Sequence, residues 1–158
     1  MDPIAYHITW TTYGTWLSGD TRGWVKSGVG GIQGPDPVLE QHAREEMVEP
    51  AVILSAEQRE IVDATIRRHC DIRGWELHAV NVRTNHVHLV VTGNRGADEM
   101  MNELKAWCSR KLSDHAGLTK AVARKAGRRH WFTEHGSTKP IFDDAYLQNA
   151  IQYVLEAQ

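Results

Sequence analysis

The chain has 158 residues, which suits one domain with a single hydrophobic core. Hydrophobic residues make up 41% and charged residues 24%, an ordinary globular composition that excludes wholesale disorder. The net charge of −2 argues by itself against a nucleic-acid partner, and no apolar run reaches the roughly 18 to 20 residues that span a bilayer.

The first element is a predicted strand over residues 5–12, where aromatic and β-branched side chains alternate with polar ones. From residue 13 to about residue 50 we expect a long ordered loop, because frequent glycines disfavour a regular element there. Trp16 and Trp24 are expected to pin this loop.

A helix is predicted from Ser55 to about Arg73. Ser55 followed by Gln58 three residues later is a capping box, and Gly74 is suited to ending the helix. Residues 75–82 and 86–92 then alternate as two strands around a turn, which predicts a hairpin.

A second long helix is predicted over residues 98–114, followed by a basic stretch that is at most partly helical. Residues 130–133 and 139–142 are expected to form short strands around Gly136. A last helix, capped by Asp143 or Asp144, is expected to reach the end of the chain.

The element order is therefore strand, helix, strand, strand, helix, short strand or strands, helix. This order predicts an α+β fold, a ferredoxin-like antiparallel sheet with helices packed on it. We expect one domain over residues 1–158, with the 13–50 loop as an insertion and no secretory signal. Cys70 and Cys108 lie far apart, which favours reduced, half-buried helix residues of a cytoplasmic protein over a disulfide or zinc site.

Charge is unevenly distributed along the chain. Residues 1–64 have few cations against many carboxylates, whereas residues 104–130 have many cations and only Asp114 as an acid. An acidic front and a basic middle are typical of a protein that presents one face to a polyanion, although a solvated basic loop would look the same. The candidate DNA-binding cations are Lys105, Arg110, Lys111, Lys120, Arg124, Lys125, Arg128 and Arg129.

His86 and His88 are two residues apart on a predicted strand, so both side chains point to the same face while Val87 points to the other. Two neutral imidazoles on one rigid face make half of a divalent-metal site. The alternative interpretation is a pair of surface histidines.

Tyr153 lies on the last predicted helix, roughly on the same face as Tyr146. A helical tyrosine is usually a packing residue. Because a phenol is a weak acid, its attack on phosphorus would need help from a metal or a base.

The ordered combination of these pieces resembles the HUH single-tyrosine transposases, which include the insertion-sequence 200/605 type and the REP-associated tyrosine transposases. The matching segments are Asn-His-Val-His-Leu-Val-Val at 85–91, Tyr-Val-Leu-Glu-Ala-Gln at 153–158, and the aromatic opening from residue 6. The resemblance covers most of the chain except the loop from about residue 19 to residue 50.

The resemblance implies that Tyr153 is the nucleophile and that His86 and His88 bind Mg²⁺ or Mn²⁺. Such enzymes cleave and rejoin single-stranded DNA through a 5′-phosphotyrosine link and recognise DNA hairpins. They commonly place a third metal ligand, Gln or Asn, one turn after the tyrosine, where this chain has Ala157. We expect Gln158 to replace it; Glu156, Asn149 and His7 are the other candidates.

The resemblance also implies a cytoplasmic, nucleoid-associated bacterial protein that acts as a homodimer. One alternative function is a domesticated DNA-hairpin-binding protein that has the same fold and does not cleave. Another is an RNA-binding ferredoxin-like module, which would need adjacent aromatic residues on the central strands. The 87–92 strand has no aromatic residue.

Overall fold

Four strands form a single antiparallel sheet. They are β1 (Ala5–Thr11), β2 (Glu76–Val82), β3 (His86–Thr92) and β4 (Ser137–Ile141), in the spatial order β2-β3-β1-β4. The computed structural model from which this is taken describes residues 1–24, 26, 28–117 and 130–156.

The described residues also form four helices: α1 (Pro37–Glu45), α2 (Ala56–Arg73), α3 (Ala97–His115) and α4 (Asp144–Glu156). Helices α2 and α3 cover one face of the sheet, and α4 covers part of the other. This architecture confirms the α+β, ferredoxin-like prediction. None of the helices in these ranges combines the length and apolarity needed to cross a bilayer.

Strand β3 is buried on both faces, and this sets the layers of the molecule. Val87, Leu89 and Val91 are fully buried in the core that α2 and α3 form. Val90 points the opposite way, into a smaller cluster beneath α4. Because side chains alternate along a strand, His86 and His88 share the α4 side with Val90.

The ends of α2 follow the sequence signals. The Gln58 amide donates to Ser55 Oγ at 3.1 Å, and the Ser55 amide donates to Gln58 Oε1 at 2.9 Å, which completes the capping box. Gly74 ends the helix in the left-handed conformation at φ 71°. The hairpin of β2 and β3 begins two residues later, so these predictions are confirmed.

The segment predicted as a loop contains helix α1, which the sequence analysis missed. Asp36 accepts a hydrogen bond from the Leu39 amide and Pro37 is the first helical residue, an ordinary helix start. The helix has only nine residues, none of them buried, and it follows the glycine-rich segment whose composition disfavours a regular element. The rest of the loop is pinned as expected: Trp16 Nε1 donates to Gly23 O at 2.6 Å, and Trp24 Nε1 to Gly34 O at 2.8 Å.

Two smaller expectations also change. Of the strand predicted at 130–133, only a single bridge between Phe132 and Thr12 forms, because this segment meets only the end of β1. Cys70 and Cys108 lie on helices as predicted, but they are fully buried rather than half-buried. Burial raises the pKa of both thiols, that of Cys70 to about 11, which keeps them protonated at neutral pH.

Candidate active site

A cleft of about 650 Å³ lies between the sheet and α4. The helix packs on β2 and β3 through a small apolar cluster that includes Val90, Ala150 and Val154. Beside this cluster the side chains on the same sheet face are polar. The lining residues are His7, Thr9, Thr11, Trp16, His86, His88, Ser137, Lys139, Tyr146, Asn149, Ala150 and Tyr153.

His86 and His88 meet on the floor of the cleft, with their ring centroids 5.1 Å apart. His86 Nδ1 is 2.8 Å from Asn85 Oδ1, an acceptor, so Nδ1 carries the proton and Nε2 has a free lone pair. His88 Nε2 is buried and has no hydrogen-bond partner among the described residues. Each ring therefore has one nitrogen available to a ligand.

Both rings are held in the neutral form. Burial lowers the pKa of His86, and nearby Arg83 lowers it further. Burial lowers the pKa of His88 to about 4, with added repulsion from His86, His7 and Arg83. A neutral imidazole has the lone pair that a metal ion requires.

Tyr153 reaches the same cleft from α4. Its ring centroid lies 6.1 Å from that of His88 and 5.8 Å from that of His7, edge-on in both cases. The side chain is 63% exposed, so the phenol is open to a ligand. The adjacent Val154 is fully buried, and its carbonyl accepts a hydrogen bond from Asn81 Nδ2 at 2.9 Å. The fold thus brings Tyr153 of α4 to His86 and His88 of β3, which precede it by 65 or more positions in the sequence.

His7 is a third imidazole in the cleft. It lies on β1 beside His88, with ring centroids 6.2 Å apart, and directly opposite Lys139 on β4. Its Nε2 is buried and finds no partner in the described part of the chain. Burial, and then the charge of Lys139, lowers its pKa.

Comparison with known proteins identifies the family of this chain. The family model described as "Transposase IS200 like" matches residues 49–156. The chain belongs to this family. This membership confirms the resemblance that the sequence analysis drew.

Two solved structures share the fold. A REP-associated tyrosine transposase bound to a REP hairpin is 12% identical at a TM-score of 0.52, covering 98% of this chain and 66% of that one. A proposed transposase from Deinococcus radiodurans R1 is 16% identical at a TM-score of 0.52, covering 100% and 92%. This chain therefore spans slightly less than two thirds of the first structure. None of the curated proteins compared with it matches significantly.

The donor set of this IS200-like transposase fits a divalent metal ion at His86 and His88. The unpartnered, buried Nε2 of His88 is the observation that supports this fit, because a buried polar atom without a partner is costly. No cluster of three or more His, Cys, Asp or Glu side chains suited to a metal occurs in the described ranges. Of the candidates for a third protein ligand, His7 lines the cleft beside His88. Asn149 lines the cleft, whereas Gln158, the predicted ligand, lies outside the described residues together with Ala157.

None of the three predicted DNA-binding cations that the structure describes lines the cleft. Lys105 Nζ donates to the carbonyls of Thr133 and His135 at 2.6 and 2.8 Å, a structural tie. Arg110 and Lys111 are exposed on α3, which packs on the opposite face of the sheet. The remaining candidates, Lys120, Arg124, Lys125, Arg128 and Arg129, lie outside the described residues.

The two tryptophans that bound this basic region differ in exposure. Trp131 is buried and donates from Nε1 to Ser113 Oγ at 2.9 Å, so it is a core residue rather than a base-stacking surface. Trp107 is 37% exposed, and the guanidinium of Arg110 lies 4.8 Å from its ring centroid. Of the pair, only Trp107 presents a ring to solvent.

Sequence reasoning missed several residues that line or support the cleft. Lys139 is the only cation among its described lining residues, and the hydroxyls of Thr9, Thr11 and Ser137 accompany it. The alternation of β1 could have indicated Thr9 and Thr11, which share a face with His7. Lys139 depends on the pairing of β4 with β1, which no local pattern encodes.

Proposed function

We propose that this chain is a transposase that cleaves and rejoins single-stranded DNA, with Tyr153 as nucleophile and a divalent ion, Mg²⁺ or Mn²⁺, held by His86 and His88. The observation that carries the proposal is the meeting of these three side chains in one cleft. A helical tyrosine that served only for packing would not need to stand exposed beside two neutral imidazoles, of which that of His88 is buried.

The reaction exchanges one phosphodiester for another. The Tyr153 oxygen bonds to phosphorus as the bond from phosphorus to the 3′-oxygen breaks, and the departing 3′-oxygen takes up a proton to become a 3′-hydroxyl. The product is a 5′-phosphotyrosine, which keeps the bond energy. Attack by the 3′-hydroxyl of another strand reverses the step and joins DNA without ATP. When bound, the ion would polarise the phosphate and offset the charge that develops on it.

The other lining residues suit an anionic substrate. No carboxylate belongs to the described lining of the cleft, so a phosphate would meet no like charge there. Lys139 supplies a positive charge, and the hydroxyls of Thr9 and Ser137 can donate to phosphate oxygens, whereas the Thr11 hydroxyl already donates to Thr133 Oγ1 at 2.9 Å. The phenol proton needs an acceptor, and neutral His7, whose ring meets that of Tyr153, is the neighbouring candidate.

A DNA hairpin is the proposed recognition element. The support is the fold shared with a transposase solved on a REP hairpin, although this chain covers 66% of that protein. A homodimer and location in the bacterial cytoplasm at the nucleoid remain predictions that go with this proposal. A contribution to DNA binding from the basic residues of 104–130, such as Arg110 and Lys111, is a prediction that the cleft itself does not require.

The test is covalent capture of DNA. We expect wild-type protein with Mn²⁺ to form an adduct with end-labelled single-stranded DNA that survives denaturing electrophoresis, and Tyr153→Phe to form none. Tyr146→Phe is the matched comparison, because Tyr146 lies on the same helix and lines the same cleft. Adduct formation that persists in Tyr153→Phe, or that is lost in Tyr146→Phe alone, would refute the assigned nucleophile.

A non-cleaving hairpin-binding protein is the second candidate. It is favoured by Ala157, a non-ligand at the position where relatives commonly have an amide, and by the lack of a three-ligand cluster in the described chain. Tight binding of hairpin DNA by wild-type protein, with no adduct on any strand in Mg²⁺ or Mn²⁺, would establish this candidate instead.

A further inference from the structure

Trp16 is an aromatic residue at the cleft that the proposed chemistry does not use. It belongs to the glycine-rich segment after β1, outside the residues 49–156 that match the family model. Its side chain lines the cleft together with His86 and Tyr153, and the residue is 39% exposed. A tryptophan needed only for packing would be expected to bury its ring, as Trp10 and Trp131 do.

The ring of Trp16 is held in place rather than left mobile. Its Nε1 donates to Gly23 O at 2.6 Å, and the Arg22 guanidinium lies 4.0 Å from the ring centroid. Arg22 is itself fixed by Asp20, which accepts from its Nε at 2.8 Å and from its Nη2 at 2.6 Å. One face of the indole is therefore covered by a fixed cation, which leaves the other face for a ligand.

Hydrogen bonds also connect the turn that precedes Trp16 to Asn85, the residue beside His86. The Thr12 amide donates to Asn85 O at 2.9 Å, and Thr15 Oγ1 donates to Thr12 O at 2.8 Å. Asn85 is the residue that orients His86. Gly14 permits this turn, because its φ of 76° is a conformation that other residues rarely adopt. The indole thus stands at a fixed position relative to the imidazole pair.

We infer that Trp16 forms a nucleobase subsite, on which a base of the bound single strand next to the scissile phosphate stacks. This inference rests on the proposed function. A flat aromatic surface beside a cleft that contains Lys139 and, in the described lining, no carboxylate suits a ligand with alternating anionic and aromatic groups. Single-stranded nucleic acid is such a ligand, since its bases stack on aromatic side chains while its phosphates contact cations. The subsite would hold the strand in register with Tyr153.

Binding measurements with a 20-mer of thymidine and an abasic strand of the same length test the subsite. Both are titrated against the full chain in EDTA, so that no strand is cleaved. We expect Trp16→Ala to bind the thymidine strand about tenfold more weakly and the abasic strand unchanged, because only the stacking is lost. Trp16→Phe should retain part of the preference for the base-bearing strand.

Trp24→Ala is the matched control, because Trp24 is also a tryptophan of this segment whose indole donates to a glycine carbonyl, but it does not line the cleft. We expect its affinities for both strands to equal those of wild type. Photocrosslinking of a 5-iodouracil strand should attach the base to the peptide that contains Trp16.

The inference is overturned if Trp16→Ala weakens both strands equally, if Trp24→Ala has the same effect, or if the crosslink maps elsewhere. These results would leave the covalent chemistry of Tyr153 untouched. If neither wild-type strand binds and no Tyr153 adduct forms, the proposed function fails, and the subsite fails with it.

Discussion

Lys139 illustrates how single residues acquire a role through their position on the sheet. It is exposed on β4, opposite His7 on β1, and its charge helps to lower the pKa of that imidazole after the larger effect of burial. Lys111, by contrast, is exposed on α3 behind the other face of the sheet. A phosphate held in the cleft would meet the charge of Lys139 and not that of Lys111.

We therefore expect Lys139→Ala to weaken single-stranded DNA binding and to reduce the slope of log affinity against log salt by about 0.7, the loss of roughly one phosphate contact. Lys111→Ala should change the slope less. Titrations by fluorescence anisotropy at several salt concentrations give both values. If Lys111→Ala reduces the slope and Lys139→Ala does not, DNA enters from the α3 side, and the basic region predicted from sequence is the true interface.

At the scale of elements, the placement of α4 decides whether Tyr153 reaches the histidines. The helix packs on β2 and β3 through Ala150 and Val154, and Asn81 of β2 donates to the Val154 carbonyl at 2.9 Å. This hydrogen bond fastens the helix turn that carries Tyr153 to the sheet. Asn81 is thus a positioning residue, which acts on the nucleophile through the backbone beside it.

Asn81→Ala should lower the first-order rate of adduct formation about tenfold, because small displacements of a nucleophile are costly. The affinity for DNA should stay unchanged, and the free energy of unfolding should fall by about 1 kcal/mol. Asn102→Ala, an exposed position on α3, is the control. A loss of affinity with an unchanged rate would show that Asn81 contacts DNA rather than positioning Tyr153.

Elements whose signals are local were predictable from the sequence. Ser55, Gln58 and Gly74 fixed both ends of α2, and alternation fixed β3 and the common face of His86 and His88. Helix α1 was not predicted, because it has only nine residues and follows a glycine-rich segment. The signal that was available, Asp36 followed by Pro37, marks only a helix start.

At the scale of the whole molecule, the histidines of the site make the stability of the folded chain depend on pH. Burial lowers the pKa of His88 to about 4, and it lowers those of His7 and His86 as well. In the unfolded chain a histidine has a pKa of about 6.5. Between these values the unfolded state binds more protons than the folded state, so stability falls as pH drops from about 6.5 towards 4.

Urea unfolding of the metal-free protein at pH 7.5 and pH 5 should reveal this loss. For His88 alone we expect the free energy of unfolding to fall by about 1–2 kcal/mol between the two pH values. His88→Gln should lose that part of the dependence, whereas His42→Gln, at an exposed position on α1, should keep it. An unchanged pH dependence in His88→Gln would mean that this imidazole titrates normally in the folded state.

Only the resemblance to single-tyrosine transposases predicted that His86, His88 and Tyr153 meet in one site. Spacing placed His86 and His88 on one face, but nothing in residues 144–156 says which side of the sheet α4 covers. On the side that α4 covers, the small residues Ala5 and Ala79 of the sheet pack in one cluster with Ala150 of the helix. Trp16 and Lys139 line the cleft together with residues more than 60 positions away in the sequence. Their place in the site is therefore seen only in the folded chain.

A crystal structure of the protein soaked in Mn²⁺, with the ion located by its anomalous scattering, is the most direct test of the proposed centre. We predict one ion at bonding distance from Nε2 of both His86 and His88, with the Tyr153 hydroxyl facing the same open position. An ion found elsewhere, or a Tyr153 hydroxyl that cannot share one phosphate with the ion, would contradict the assignment.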